Sequence, residues 1–496
     1  MFKKGITAFV FIAATSSVYA GGPEVAPPYV GGAYVDVGLS YDNLRNYWRR
    51  NTRLSFDSDI VSNLIYRVDS GAQGWDGFLG VGYQYAWNDG WSLGAEVFGD
   101  LSSLHGTQLE INPLEDVSSG LTVRNYGNLR VRHTLGVSLL PGYYVARGSL
   151  FFVDIGYANS EFEMFNFSAQ PSRESNDSGF RLGFGVNTQV GGHFAVKQEY
   201  VWETYQALYG DTQVSADSFL YNTNIKSNPT VEKYNLAAVY YFAQQGNAPD
   251  LHVAPAHVGG HFYVGVSDAR DEAVSQALYR SRANSSESGE MRIYGWNIGL
   301  LGGYGFNFSN RWYAGVEIFG DYDDVDASYT VAQVMTAADS FTSRFSKQFD
   351  FGAAFMPGYQ VSDAALLYAR IGYVGSKFEI RTILVGNGGQ ASGGIGLAPV
   401  LAGVPSGSSQ TSNFKNDKWL NGLQLGVGVD TMILKNLSLR TEFDVNNFGG
   451  FRYTANLPAA TSLSDIPAPQ ASSILTRHKN IVEDQFSLAL IWHFLG

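Results

Sequence analysis

The 496-residue sequence predicts an all-β fold in which antiparallel, up-and-down strands close into transmembrane barrels. Three observations lead there. Large apolar residues alternate with small or charged ones over runs of ~8–12 residues, the period of a half-buried strand. The connections between these runs alternate between a few residues and long polar stretches. The chain also contains the same unit twice.

Composition narrows the class first. Glycine supplies 57 residues, charged residues only 16%, and there are 30 Tyr, 32 Phe and 9 Trp. Cysteine is absent, which excludes disulfides, thiol catalysis, thiolate zinc sites and a lipid-modified N-terminal cysteine. A net charge of −12 removes the electrostatic basis of nucleic-acid binding. Hydrophobic content of 45% argues against disorder. Residues 1–20 read as a secretory signal peptide. Lys3 and Lys4 precede an apolar stretch from Gly5 to Val18, and Val18-Tyr19-Ala20 offers small residues for cleavage after Ala20. Beyond it no run of ~18 apolar residues suggests a transmembrane helix.

The repeat sets the domain organisation. Gly74-Trp75 to Asp100 aligns without a gap on Gly295-Trp296 to Asp321, and both end in Gly-x-Glu-x-Phe-Gly-Asp. Pro141-Gly142-Tyr143 matches Pro357-Gly358-Tyr359, Ile155-Gly156-Tyr157 matches Ile371-Gly372-Tyr373, and Gly183-x-Gly185-Val186 matches Gly426-x-Gly428-Val429. The expected parts are a signal peptide over 1–20, a first barrel over 21–245, a linker over 246–258 and a second barrel over 259–496.

Eight strands are expected per copy. In the first they start near Gly32, Trp75, Trp91, Val131, Ser149, Gly179, His193 and Val231. In the second they start near Gly260, Tyr294, Trp312, Gln348, Ala365, Leu420, Asn436 and Glu483. Short turns such as Trp87-Asn88-Asp89-Gly90 alternate with long polar loops: Asp42–Gly74, Leu101–Arg130, Glu163–Ser178 and Gln206–Thr230. Copy two repeats this with Asp268–Arg292, Tyr322–Lys347, Ile380–Trp419 and Gly449–Lys479. Short turns on one side and long loops on the other match periplasmic and extracellular connections. From Trp91 onward, Leu93, Ala95 and Val97 are expected to face lipid, and Gly94, Glu96, Phe98 and Asp100 the lumen. Trp91, Trp312, Tyr240, Phe242, Trp492 and Phe494 fall near the periplasmic ends, where aromatic girdles form.

Leu140-Pro-Gly-Tyr143, Phe152 to Tyr157 and Ser160-Glu-Phe162 resemble the small outer-membrane β-barrel family, which includes opacity-type proteins and the membrane domain of OmpA-type proteins. Met356-Pro-Gly-Tyr359, Tyr368 to Tyr373 and Ser376-Lys-Phe378 resemble it equally. The ending Trp492-His-Phe494 is similar to the aromatic strand read by the barrel assembly machinery, although Leu495 and Gly496 follow it. The resemblance implies the outer membrane of a Gram-negative bacterium and that machinery as a partner during insertion.

No residues form a recognisable catalytic or cofactor signature, so neither enzyme activity nor a cofactor is expected. The histidines offer no metal-ligand spacing; His252 and His257 fall in the linker. Asp321-x-Asp323-Asp324-x-Asp326 lacks the spacing and the Glu of a calcium loop and reads as a solvated loop. Arg45, Arg49, Arg50 and Arg53, around Tyr47 and Trp48, read as a basic surface loop, with lipopolysaccharide phosphates as the sharper alternative. Gly386–Ser412 reads as a loop. The site residues expected in the lumen are Glu96, Lys197 and Glu199, with Glu317, Arg440 and Glu442 as counterparts: a salt-bridge network plugging the barrel, or a constriction in a pore.

Those charges also bear on strand number. In an eight-stranded barrel the third and seventh strands lie opposite, which would bring Glu96 to Lys197 across a lumen that side chains can fill. Two tandem eight-stranded barrels are therefore expected over one sixteen-stranded barrel. The expected function is a non-catalytic integral outer-membrane protein with a structural or surface-interaction role through its long loops. The alternative is a sixteen-stranded porin. Expected partners are outer-membrane lipids, lipopolysaccharide and an extracellular ligand; nucleic acid is not.

Overall fold

A computed structural model describes residues 31–242 and 259–494, apart from 57–58, 103, 108–114, 117–120, 123–127, 147, 166–172, 192, 217–218, 282–285, 309–310, 334–339, 363, 388–408 and 457–472. The signal peptide expected over 1–20, the linker expected over 246–258 and the central parts of the loops expected over Glu163–Ser178 and Gly386–Ser412 lie outside the described residues. The first barrel is built from β1 (Gly32–Phe56), β2 (Asp59–Ala86), β3 (Trp91–Leu101), β4 (Asn128–Ala146), β5 (Ser149–Phe165), β6 (Arg173–Gly191), β7 (Phe194–Tyr205) and β8 (Phe219–Tyr241). The second contains β9 (Gly259–Ser281), β10 (Ser286–Asn307), β11 (Trp312–Gln333), β12 (Ser340–Gln360), β13 (Ala365–Asn387), β14 (Ser409–Leu434), β15 (Leu437–Phe448) and β16 (Ser473–Phe494).

Each neighbour in chain order pairs antiparallel, and each set closes on itself. β1 pairs with β8 from Tyr34↔Tyr241 to Phe56↔Phe219, and β9 pairs with β16 from Phe262↔Phe494 to Ser281↔Ile474. Two closed barrels of eight strands result; the single sixteen-stranded ring, and with it the wide porin, does not form. Closure is what a bilayer demands, since a backbone N–H or C=O left unpaired in hydrocarbon costs several kcal/mol.

Alternation then separates two faces. Along β3 the odd positions Trp91, Leu93, Val97 and Leu101 point out while Glu96, Phe98 and Asp100 are buried. The outward set on other strands, including Val37, Leu79, Val81, Leu135, Val137, Ile298, Leu300, Ile318 and Phe355, makes an apolar belt. Trp87, Trp91, Phe308, Trp312, Trp492 and Phe494 border it on the turn side, and Trp75, Trp202, Trp296 and Trp419 on the other. Lumenal glycines make room for the rings opposite. A Cβ on Gly428 would lie 2.3 Å from the hydroxyl of Tyr368, and one on the equivalent Gly185 would lie 2.6 Å from Cζ of Phe152.

The long polar stretches are shorter as loops than their composition suggests. β1 continues to Phe56 and β2 begins again at Asp59, so most of Asp42–Gly74 is a hairpin rising above the belt. Asp268–Arg280 and Ser286–Arg292 likewise pair as the extension of β9 and β10. Above the membrane both strand faces meet water or protein, so the apolar–polar contrast disappears while the ladder persists. There the two barrels also join: Leu64–Val68 of β2 pairs antiparallel with Tyr329–Gln333 of β11. Each strand covers an edge the other would leave open.

Candidate functional site

The lumens are filled by charged layers, built by side chains that the pleat turns inward. In the first barrel the ammonium of Lys197 (β7) lies 2.8 Å from Glu96 (β3) and 2.9 Å from Asp36 (β1). Tyr34 donates its hydroxyl to the same Glu96 oxygen at 2.8 Å. Glu199 stands 3.9 Å from Lys197 and also meets Arg181 (β6). Arg181 is fully buried, with Nε 2.7 Å from Asp154 and Nη1 2.9 Å from Glu203, and its guanidinium lies over the ring of Phe98. Toward the extracellular side Lys233 pairs with Asp100, with Glu203 at 3.3 Å and with Asp42 at 3.8 Å.

The second barrel answers with a related arrangement. Arg440 (β15) reaches Glu317 (β11) at 2.5 Å and Asp430 at 3.2 Å. Glu442 bonds to Arg370 (β13) at 2.9 Å rather than to Arg440, and Arg370 also holds Glu317 at 2.6 Å. The hydroxyls of Tyr263 and Tyr368 donate to Glu317 and Glu442. Above them Lys347 sits among Asp271 at 2.7 Å, Asp350 and Glu483 at 2.5 Å each, and Asp323 at 3.4 Å. Asp271, Asp350 and Glu483 come close enough together to suit a metal ion. The ammonium of Lys347 already supplies the positive charge at their centre.

The six residues singled out in the sequence thus all face the lumens, and the structure brings Glu96 to Lys197 and Glu317 to Arg440. Sequence reasoning missed Asp36, Asp154, Arg181, Arg370 and the two upper lysines. Arg181 sits in the alternating run Phe180–Val186, so its inward direction was available; its partners on other strands were not. One expectation is overturned: the Asp321–Asp326 segment is no solvated loop. It belongs to β11, with Asp321 and Asp323 buried in the lumen, because β11 continues paired with β12 above the belt. Arg45 likewise belongs to a strand, and its guanidinium carbon lies 3.2 Å from the ring centroid of Tyr294 in the other barrel.

The matching strand order of the two barrels allows their lumens to be compared position by position. Asp154 faces Gly183 in one barrel and Arg370 faces the equivalent Gly426 in the other. Arg181 corresponds in the same register to Gln424, which accepts a bond from Arg370. The arginine has therefore moved one strand over while the layer keeps its positive charge. The upper layer behaves alike: Lys233 corresponds to Gln485, and the second barrel draws its lysine from position 347 instead.

Residues 6–242 match the family described as the outer membrane protein beta-barrel domain. The first barrel belongs to that family. An outer-membrane barrel of this kind resides in the outer membrane of a Gram-negative bacterium, and the second copy repeats its strand order. Among curated proteins none matches the sequence. Similar solved structures include the P. putida toluene transporter TodX, at 9% identity and a TM-score of 0.25, covering 92% of this chain and 91% of that one. Neisserial surface protein A has 13% identity and a TM-score of 0.20, over 47% of this chain and 97% of its own. Ail, the attachment invasion locus protein of Yersinia pestis, has 14% identity and a TM-score of 0.19, over 41% and 97%. At such scores these neighbours bear on neither substrate nor ligand.

Proposed function

We propose that this outer-membrane protein is a non-catalytic scaffold whose two plugged barrels hold extracellular hairpins as an interaction surface. The relocation of cations within filled layers carries the reading. A conductance pathway depends on which wall bears which charge, whereas a plug needs only that each buried carboxylate find a cation. Arg181 and Arg370 sit on different strands yet serve equivalent glutamates, Glu199 and Glu442, and this is the behaviour of a plug. Lipopolysaccharide phosphates are the partner proposed for the arginines on β1, the barrel assembly machinery for insertion, and an extracellular ligand for the hairpins.

Planar-bilayer recording tests the reading. Purified full-length protein should give no large, stable steps; wide open steps would establish a diffusion channel and overturn it. Protease or surface label on intact cells should reach 163–178 and 386–412, and labelling confined to Asn88 and Asn310 would mean the opposite orientation.

A further inference from the structure

Lipid-facing strand positions are apolar because a charge there is costly, most of all at the bilayer midplane. Equivalent strands of the two barrels break this rule on their outer faces. On the first barrel Asn43 (β1), Gln198 (β7) and Glu232 (β8) alternate with lumenal residues and so point outward, yet all are buried. On the second, Glu272 (β9), Arg292 (β10), Thr441 (β15) and Asp484 (β16) do the same.

Each finds its partner on the other barrel or beside it. Glu232 receives two bonds from Arg270 of β9, at 2.9 and 3.1 Å. Asp484 accepts from Asn43 and Gln73. Arg292 pairs with Glu272 and donates to the backbone carbonyls of Leu44 and, at 2.7 Å, Ala72. Toward the periplasm lies an aromatic cluster of Tyr41, Tyr234, Phe443 and Phe486. Below that, Thr441 donates to Gln198 at 2.7 Å.

The aromatic contacts and the Gln198–Thr441 bond obey a twofold rule. β7 meets β8 with Phe194 opposite Tyr240, and β15 meets β16 with Leu437 opposite Trp492. In that register Tyr200 is equivalent to Phe443, and Tyr234 to Phe486. The two stacked pairs across the interface are Tyr234–Phe443, at 4.3 Å and 9°, and Tyr200–Phe486, at 5.2 Å and 9°. Exchanging the barrels turns one pair into the other. Gln198–Thr441 and Tyr234–Phe486 turn into themselves, as pairs on a twofold axis must. Such reciprocity defines an isologous interface.

We propose that the outer face carried by the first, second, seventh and eighth strands is a dock for another barrel of the same kind, and that the chain is a fused pseudo-dimer whose barrels work as one lipid-excluding body. The occupant of each dock is the sister barrel in the same chain. The ion pairs between Glu232 and Arg270 and the bonds to Asp484 fix its register, and the aromatic cluster excludes lipid.

The absence of native cysteine makes the test direct. Full-length protein carrying Gln198→Cys with Thr441→Cys is oxidised in the outer membrane and digested for mass spectrometry, its folded state checked by heat-modifiable mobility. The expected result is a disulfide joining positions 198 and 441 within one chain, and none for Val97→Cys with Ile318→Cys, which face lipid. Arg270→Glu should lower the yield of that link, and adding Glu232→Arg should restore it. No link in folded protein, a link only between two chains, or equal yield in the lipid-facing pair overturns the proposal. Should the first pair not fold, Tyr234→Cys with Phe443→Cys asks the same question.

Discussion

Arg181 is the residue on which the first lumen turns. It is fully buried and touches three carboxylates, those of Asp154, Glu199 and Glu203. Removing one partner of a buried ion pair typically costs about 3–5 kcal/mol, because the other charge is left without compensation. Arg181→Met should therefore lower the unfolding free energy, measured by urea titration in lipid vesicles, by an amount in that range. Arg132→Met, whose side chain is 37% exposed, should change it far less. A second residue gives the extracellular part of barrel two a pH response. His478 stacks on Phe345 and Phe451 above the membrane, and burial pushes its imidazole down to about 3 from an ordinary 6.5. Below about 6.5 the unfolded chain binds a proton that the folded chain refuses until about 3. The stability is thus fully present above 6.5 and declines as pH falls through that window. Proteolysis of the Phe451–Asn456 hairpin strand should accelerate from pH 7.5 to pH 5, and His478→Phe should remove that acceleration; unchanged pH dependence in the variant would count against this origin.

At the scale of the element, what was legible followed the membrane. Within the belt a strand must show apolar residues to lipid and small or polar ones to the lumen, so β3, with Leu93, Ala95 and Val97 outside Glu96 and Phe98, could be read directly. Above the belt that contrast vanishes, and β1, β2 and β11 were read as loops although their ladders continue. Register across the lumen was also hidden. Arg181 could be assigned a direction but not its neighbours, since which residues meet depends on the stagger of strands around the barrel. Glycine marks where two elements are fitted to each other. Gly428 of β14 lies under Tyr368 of β13, whose hydroxyl donates to Glu442 at 2.5 Å. Gly428→Val should displace that ring and destabilise the second barrel by ~1–3 kcal/mol, the usual cost of overpacking. Tyr368→Ala in the same chain should recover part of the loss, measured by the same urea titration.

For the whole molecule the decisive question is what each barrel can do alone. Closure of β1 on β8 gives the first barrel a complete ladder without help from the second, so the chain up to Gln245 should reach a heat-modifiable state. Its outer face, however, would then present Asn43, Gln198 and Glu232 to lipid, with Arg270 and Thr441 gone. The half either bears that cost as a less stable monomer or covers the face with a second copy. The reciprocity of the interface favours the second, because Tyr234 of one copy can stack on Tyr200 of the other in place of Phe443, and Gln198 can meet its own equivalent. The isolated half should therefore unfold at lower urea than the full chain and migrate after mild cross-linking as a dimer. Glu232→Leu should raise its stability in isolation while lowering that of the full chain, where Arg270 would lose its carboxylate. A monomeric half as stable as the full protein, insensitive to Glu232→Leu, would mean that the barrels are merely tethered.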